Sequence, residues 1–200
     1  MGGLWKRMPI TWITSLLGSL ALIGTPFFAG FYSKDKIIET AFYAGGIKGI
    51  LIGSVALFGA ALTAFYMSRV MILTFAGTPR YDINNPPHES PFLMLFPMGI
   101  LAIGSVTSGF LLARDKTLVH WLEPLFEKQG EHTELLPPIV VSGLALTMVA
   151  IGVAIAVIKY QLSEVDSVAP EKVSIFTRIA RRDLLQDDVN EALFMRPGQA

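Results

Sequence analysis

The protein has 200 residues, of which 52% are hydrophobic and 16% are charged, and its formal net charge is zero. Soluble domains carry about 25% charged residues, so this composition argues against an ordinary soluble domain. The sequence contains no cysteine, which excludes disulfides and cysteine-ligated metal centres, and the balanced charge argues against a polyanionic partner.

The charged residues are unevenly distributed along the chain. Four runs contain none: residues 8–33, 49–68, 90–113 and 135–158. Each run is long enough to cross the hydrocarbon core of a bilayer, which takes about 20 residues in a helix. A helix of a soluble bundle shows a polar stripe, whereas these runs are apolar on all sides. The sequence therefore predicts an all-α membrane protein with about four transmembrane helices.

The first predicted span, over residues 8–44, is interrupted near residues 24–32. Gly24, Pro26 and Gly30 mark the interruption. Proline lacks an N–H and clashes with the preceding turn of a helix, and it also pushes the residue before it out of the α region. We therefore predict that the first transmembrane helix is discontinuous.

The second half of this span is predicted to begin with a side-chain cap. Ser33 precedes Lys34 and offers a hydroxyl of the kind that caps helix N-termini. Asp35 would then lie in the first turn, where the helix dipole favours an anion. This segment is predicted to run to Ala44.

Three further spans are predicted at residues 47–75, 91–113 and 136–159, which completes a transmembrane domain over residues 1–160. Small residues allow helices to approach closely in membranes. The glycines predicted to lie at such positions are Gly18, Gly53 and Gly59.

Two polar regions are predicted to carry amphipathic helices. One is a short helix at 117–127, between the last two spans. The other lies in residues 161–200, a segment on the cytoplasmic side that is predicted to form an interfacial or partner-docking helix. Its apolar side is formed by Ile175, Ile179 and Leu184, with basic residues around it.

The distribution of basic residues predicts the orientation of the chain. With four spans, residues 1–9, 76–90 and 160–200 lie on one side of the membrane, and that side carries more lysine and arginine than the other. Because basic loops stay in the cytoplasm, both termini of this multi-pass protein are predicted to be cytoplasmic.

Lys34, Asp35 and Glu39 form the densest ionisable group beside a predicted span. A buried lysine can take up and release a proton near neutral pH, which suits a proton path along a broken helix. The alternative is that these residues form the solvent-exposed end of a span, where long charged side chains extend to the membrane surface. Their spacing alone leaves both interpretations open.

Arg69 lies inside the last third of the second predicted span, whose other charged residue, Lys48, is at its start. Snorkelling towards the nearby interface would explain its presence. A structural role, in which it holds the broken helix or a neighbouring carboxylate, is the alternative.

Several blocks of sequence resemble a known family. They are MGGLWKRMP at 1–9, GTPFFAGFYSKDKI at 24–37, LTAFYMSR at 62–69 and HESP at 88–91. They resemble the C-terminal part of chain L of bacterial NADH:quinone oxidoreductase (respiratory complex I), in the antiporter-like subunit family. The tail at 180–193 is similar to the start of that family's lateral helix. Cation/proton antiporter subunits share the block around Ser33 and Lys34.

The resemblance implies a partial proton-translocating subunit of the membrane arm, which couples electron transport to proton transport as part of a translocase. It implies that Lys34 is the proton-carrying lysine, with Asp35 as its neighbour. The family's glutamate and further lysines on earlier helices have no counterpart here, so the missing N-terminal half of the subunit would be a partner. The alternatives are a cation/proton antiporter subunit or a truncated scaffold that does not transport.

The resemblance also implies the location, the partners and the cofactors of the chain. It places the protein in the inner (plasma) membrane, within the lipid bilayer and beside other membrane-arm subunits, with no nucleic acid partner. No cofactor is expected in this chain, because FMN, the iron–sulfur clusters and quinone are bound elsewhere in such complexes.

Overall fold

The computed structural model describes residues 1–43, 45–82, 86–113, 121, 124, 137–163, 175–181, 186 and 190–195. The chain consists of two compact units, Met1–Ser163 and Glu164–Ala200. Within the described residues the regular elements are helices and no strand is found. The first unit contains, after a 3-10 turn at Leu4–Lys6, the helices α1 (Pro9–Ile23), α2 (Ala29–Tyr43), α3 (Gly46–Phe75), α4 (Phe92–Ala113) and α5 (Pro138–Val157).

Three of these helices are long and apolar enough to cross a membrane: Gly46–Phe75, Phe92–Ala113 and Pro138–Leu162. The last range is α5 together with a π-helical turn, Ile158–Leu162. A shorter apolar helix, α1, precedes them. The predicted all-α membrane fold is confirmed, and the ends of α3, α4 and α5 lie within two residues of the predicted span ends.

Helices α1 and α2 lie one after the other along α3 and run in the opposite direction to it. At one end, the N–H of Gly2 donates to the carbonyl of Thr74 (3.2 Å). At the other end, the ring of Phe42 packs on Gly53, near the start of α3. The first crossing is therefore made by two helices in series, as expected of a discontinuous span.

Helix α4 runs beside this broken crossing in the same direction, since Glu89 contacts the start of α1 and Gly109 contacts Ala29 at the start of α2. Helix α5 runs parallel to α3, with Gly152 against Ala61 and Tyr160 near Phe65. With these directions the first unit runs along the bundle four times, counting α1 and α2 as one pass, and both of its ends lie at the same face of the bundle.

The core of the first unit lies where α2, α3 and α5 meet. It is formed by Ile38, Phe42, Leu57, Ala60, Val141 and Ala145. Most other large apolar side chains on the long helices face outward, including Leu51, Phe58 and Leu101. Such an exposed apolar surface is stable against lipid or against neighbouring membrane proteins, and not in water.

Glycines bring the helices close together, but not at all the predicted positions. Gly53 does lie under the ring of Phe42, as predicted. The prediction for Gly18 and Gly59 is wrong within this chain, because a Cβ at either position would meet no atom within 4 Å. Close approaches that the sequence did not indicate occur at Gly30, Gly49, Gly109 and Gly152.

Of the second unit, the structure describes a short helix, α6 (Ile175–Arg181), and a π-helical turn at Glu191–Met195. Ile175 on α6 is exposed and Ile179 is partly buried. The predicted apolar partner Leu184, and the helix predicted at 117–127, lie outside the residues described as continuous structure.

The N-terminus of α1 is capped by a carboxylate from a distant part of the chain. The preceding residue, Met8, provides no side-chain cap. Instead, Glu89 accepts hydrogen bonds from the backbone N–H groups of Ile10 (3.0 Å) and Thr11 (3.3 Å) and from the Thr11 hydroxyl. A carboxylate at this position satisfies donors that a helix leaves free and complements the positive end of its dipole.

The environment of Glu89 favours its charged form. Burial by itself would raise the pKa of this carboxyl, but the hydrogen bonds from Thr11, Ile10 and Ser90 outweigh burial and hold the pKa below its ordinary value. Since the pKa is lower in the folded state, Glu89 stabilises the fold above its ordinary pKa, and this stabilisation is lost as the pH falls through the folded-state value.

We expect Glu89→Ala to lower the free energy of unfolding by about 1 kcal/mol at neutral pH, as loss of a helix cap does. The penalty should shrink towards zero in strongly acidic buffer, where the wild-type carboxylate is protonated. Thermal unfolding of the detergent-solubilised chain at both pH values measures this difference, with the exposed neighbour His88→Ala as the control. An equal penalty at both pH values would contradict the charged cap.

Candidate functional site

The helix break occupies residues 24–28, between the end of α1 at Ile23 and the start of α2 at Ala29. Gly24 adopts the left-handed conformation, with φ 88°, which favours glycine because it has no Cβ. Its N–H donates to the carbonyl of Ala21 (3.2 Å), and the N–H of Thr25 donates to that of Leu20 (3.0 Å). This pair of bonds is a Schellman motif, and it satisfies two of the four free carbonyls at the end of α1.

Lys34 binds the two carbonyls that remain. Its Nζ lies 3.0 Å from the carbonyl oxygen of Leu22 and 3.4 Å from that of Ile23. A cation at a helix C-terminus also interacts favourably with the negative end of the dipole. All four terminal carbonyls of α1 are therefore paired, which matters because an unpaired carbonyl in hydrocarbon costs several kcal/mol.

The position of the break follows from the length of α1. Its 15 residues rise about 22 Å at 1.5 Å per residue, which is less than the roughly 30 Å of a bilayer core. If α1 enters at the surface where its first turn is capped, it ends inside the hydrocarbon region. Lys34 then lies at membrane depth and turns back towards α1, whereas a snorkelling lysine would extend away from it.

Helix α2 begins five residues earlier than the predicted start at Lys34, so the prediction that Ser33 caps it is wrong. Ser33 lies within α2, and its hydroxyl donates to the carbonyl of Gly30 (3.4 Å). The early start is possible because the turn from Thr25 to Phe28 closes with a backbone hydrogen bond of 3.2 Å. Pro26 lies in that turn, where its missing N–H leaves no helical bond unmade.

Gly30 is the contact point between the two half-helices. A Cβ at this position would clash with the carbonyl oxygen of Ala21 and would also approach Gly24. The absence of a side chain lets the first turn of α2 lie directly against the last turn of α1. Lys34 follows Gly30 by four residues on the same face of α2, and its aliphatic chain passes over Gly24. Gly30 and Gly24 therefore set the path by which the ammonium group reaches the end of α1.

Asp35 and Glu39 are placed differently from Lys34. Asp35 is partly buried, and among the described residues no ion pair joins its carboxylate to Lys34. Glu39 is 8% exposed, and it accepts hydrogen bonds from Lys36 Nζ (2.7 Å) and from the Tyr43 hydroxyl (2.6 Å). Its buried carboxylate is thus paired, as a buried charge requires.

Tyr43 is a member of this cluster that the sequence analysis did not single out. It follows Glu39 by four residues, which places the two side chains next to each other on one face of a helix. That spacing is the signal that could have found it. Lys34 and Glu39 are five positions apart, which is not a same-face spacing, and their side chains bond to different groups: Lys34 to the end of α1 and Glu39 to Lys36 and Tyr43.

Among the described residues, no hydrogen bond or ion pair joins Arg69 to the broken helix or to a carboxylate. Its guanidinium lies over the ring of Tyr160, with 5.3 Å between the guanidinium carbon and the ring centroid. Lys159 Nζ lies 5.7 Å from the same centroid, and the ring of Phe65 lies beside it at 5.9 Å. Arg69 thus joins α3 to the π-helical turn after α5 by a cation–π interaction.

The first seventy-five residues match the family described as "NADH:quinone oxidoreductase/Mrp antiporter, TM". The chain is 51% identical over 197 residues to NADH-quinone oxidoreductase subunit L of Mycobacterium tuberculosis, an alignment that covers 98% of this chain. The resemblance to the antiporter-like subunits is thereby confirmed. Chain 5 of the NAD(P)H-quinone oxidoreductase of a Picosynechococcus species is 32% identical over 98% of this chain.

A third relative matches a shorter part of the chain. Chain 5 of the NADH-ubiquinone oxidoreductase of Dictyostelium citrinum is 46% identical over 116 residues, which covers 56% of this chain. The chain spans about a third of the length of the curated relatives that it matches over its whole extent: 31% of the Mycobacterium subunit and 32% of the Picosynechococcus subunit. It is therefore similar to part of such a subunit.

Proposed function

We propose that this chain is part of a proton-translocating membrane-arm subunit of an NADH:quinone oxidoreductase. Lys34 would carry the proton, and the observation that supports this most is the position of its ammonium at the break of the first crossing, on the carbonyls of Leu22 and Ile23. At that place the charged Lys34 ammonium has hydrogen-bond partners, whereas an unpaired charge within the hydrocarbon region would cost much free energy. Irregular backbone at membrane depth is typical of transporter ion sites.

The proposed transfer couples the proton to the contact between α1 and α2. Charged Lys34 holds the end of α1, whereas neutral Lys34 would hold it less strongly, because the charge–dipole attraction is lost. Asp35, one residue away, would bias the charge on Lys34 through its field. Glu39 would take part further along α2, with a chain of water molecules bridging the distance that no direct hydrogen bond spans.

In this proposal the partners are other membrane-arm subunits, the rest of the subunit and the lipid of the cell's inner membrane. Both ends of the first unit would face the cytoplasm, because the basic residues gather there. The redox groups of the complex would lie in other subunits. The matching family also includes Mrp antiporters, so a cation/proton antiporter subunit is a second candidate, which would require sodium-dependent transport.

Lys34→Ala tests the proposal in membranes whose NADH:quinone oxidoreductase contains this chain. We expect proton translocation per NADH oxidised to fall clearly below the wild-type ratio, because the variant has no group to carry the proton at the break. Lys48→Ala, which removes an exposed lysine from the first turn of α3, is the matched control and should leave the ratio unchanged. An unchanged ratio in Lys34→Ala, with normal assembly on a native gel, would favour a scaffold that does not transport.

A further inference from the structure

An open apolar groove of about 380 Å³ lies at the end of the bundle where the chain begins. The 3-10 turn, α1 and α3 form its walls. Its lining consists of Trp5, Trp12, Leu16, Met71, Ile72, Phe75 and Ala76. Trp12 and Leu16 are one helical turn apart on α1, as are Met71 and Phe75 on the antiparallel α3, so the groove extends along the helix axes. That is also the direction in which acyl chains lie in a bilayer.

The mouth of the groove is aromatic. The rings of Trp5 and Trp12 lie 6.2 Å apart, centroid to centroid, and Trp5 is 46% exposed. Tryptophan is enriched at the level of lipid headgroups, where one part of the ring contacts hydrocarbon and the N–H contacts water. The two indoles therefore place the mouth of the groove at the membrane surface and its inner end in the hydrocarbon region.

Basic side chains surround this mouth. Lys6 and Arg7 directly follow Trp5, both are exposed, and Lys6 Nζ lies 5.2 Å from the Trp5 ring centroid. Arg80 is also exposed and follows Pro79, which packs against Gly3. The two carboxylates that the structure describes at this end are already engaged, since Glu89 caps α1 and Asp82 has a contact of its own. The groove thus combines an apolar interior with a cationic edge, although the chain as a whole has no net charge.

We propose that this groove binds an anionic phospholipid of the bilayer. One acyl chain would lie between α1 and α3, and the phosphate would contact Lys6 and Arg7. Basic residues next to the hydrophobic edge of a membrane protein attract anionic lipid, with an effect of about fivefold in affinity for each lysine or arginine. A zwitterionic lipid would fill the same groove without the gain from these two charges.

The tryptophans of the chain provide the test. The sequence contains three of them, so Trp121→Phe leaves only Trp5 and Trp12, both in the groove, as fluorophores. The 200-residue chain carrying this change is reconstituted into vesicles of phosphatidylcholine. Brominated phosphatidylglycerol or brominated phosphatidylcholine is then included at equal mole fractions, since bromine on an acyl chain quenches an indole in contact with it.

We expect brominated phosphatidylglycerol to quench several-fold more effectively than brominated phosphatidylcholine. The double substitution Lys6→Gln and Arg7→Gln should reduce this preference to about one, whereas Lys48→Gln, near the opposite end of α3, should leave it unchanged. Ala76→Phe, which fills the groove and retains both charges, should weaken quenching by both lipids.

Three outcomes would overturn the proposal. Equal quenching by the two lipids would remove the role of the charges, and a preference retained in the double variant would assign it to another site. No quenching by either lipid would mean that a protein segment covers the groove. The assay does not involve transport, so its result is independent of the function proposed for Lys34.

Discussion

Replacing Lys34 with arginine is expected to leave the bundle folded and assembled while abolishing proton translocation. Arginine has a side chain of similar length, and its guanidinium can donate to the carbonyls of Leu22 and Ile23, which Lys34 now binds. It cannot be deprotonated in a protein, so it can cap α1 but cannot pass on a proton. The substitution therefore separates the two roles that the structure combines in one ammonium group.

The contrast with Lys34→Ala makes the prediction specific. Alanine removes both the proton carrier and the cap, and it leaves two carbonyls without partners at a cost of about 1–3 kcal/mol for each. Lys34→Ala should therefore lower both stability and transport, whereas Lys34→Arg should lower transport alone. A lysine that serves only as a cap predicts the opposite for arginine, namely transport close to that of the wild type.

The measurement combines two readings on the same membranes. The amount of assembled complex on a native gel and the thermal unfolding of the solubilised chain show whether residue 34 still caps α1. The number of protons moved per NADH oxidised shows whether residue 34 still transfers protons. Lys48→Arg is the control for a lysine-to-arginine exchange at an exposed position. A Lys34→Arg variant that pumps normally would remove Lys34 from the proton path and leave it as a structural residue.

The sequence predicts the helices well, because a membrane imposes a simple rule. A helix that crosses hydrocarbon must be apolar on all sides for about 20 residues, and runs of this kind stand out from the polar loops between them. The interruption of the first crossing is similarly visible, because Gly24 and Pro26 act locally on the backbone. Both features depend only on residues close together in the chain.

The contacts at the break depend on residues that the sequence does not connect. Lys34 reaches the carbonyls of residues eleven and twelve positions earlier, and only the close fit of Gly30 against Ala21 brings it there. Glu89 caps α1 across 78 and 79 positions. A sequence pattern indicates which residues are able to cap a helix, but it does not say which distant helix end lies within reach.

Glycine packing shows the same limit. All the glycines within these helices are equally permissive as residues, but only those on a face that meets another helix let two backbones approach. Gly53 lies on such a face, whereas Gly18 and Gly59 face open space in this chain. The direction of each face is set by the tertiary arrangement, so composition alone predicted one of these three positions correctly.

Gly30→Ala is expected to have the largest structural effect of any single-methyl change in the first crossing. The added Cβ would clash with the carbonyl oxygen of Ala21, and this obstacle is backbone, which cannot rotate away as a side chain can. Helix α2 would have to move away from the end of α1. Overpacking of this kind costs about 1–3 kcal/mol, and the displacement would also draw Lys34 from its two carbonyls, which adds a comparable cost.

Two other glycines of the bundle provide matched controls for this substitution. Gly18→Ala and Gly59→Ala add the same methyl group within α1 and α3, where it meets no atom within 4 Å. Because alanine favours a helix over glycine by about 0.5–1 kcal/mol, both controls should unfold at an equal or higher temperature than the wild type. Gly30→Ala should unfold at a clearly lower temperature, measured on the solubilised chain. If all three variants behaved alike, the two half-helices would not be held in direct backbone contact, and the capping of α1 by Lys34 would lose its geometric basis.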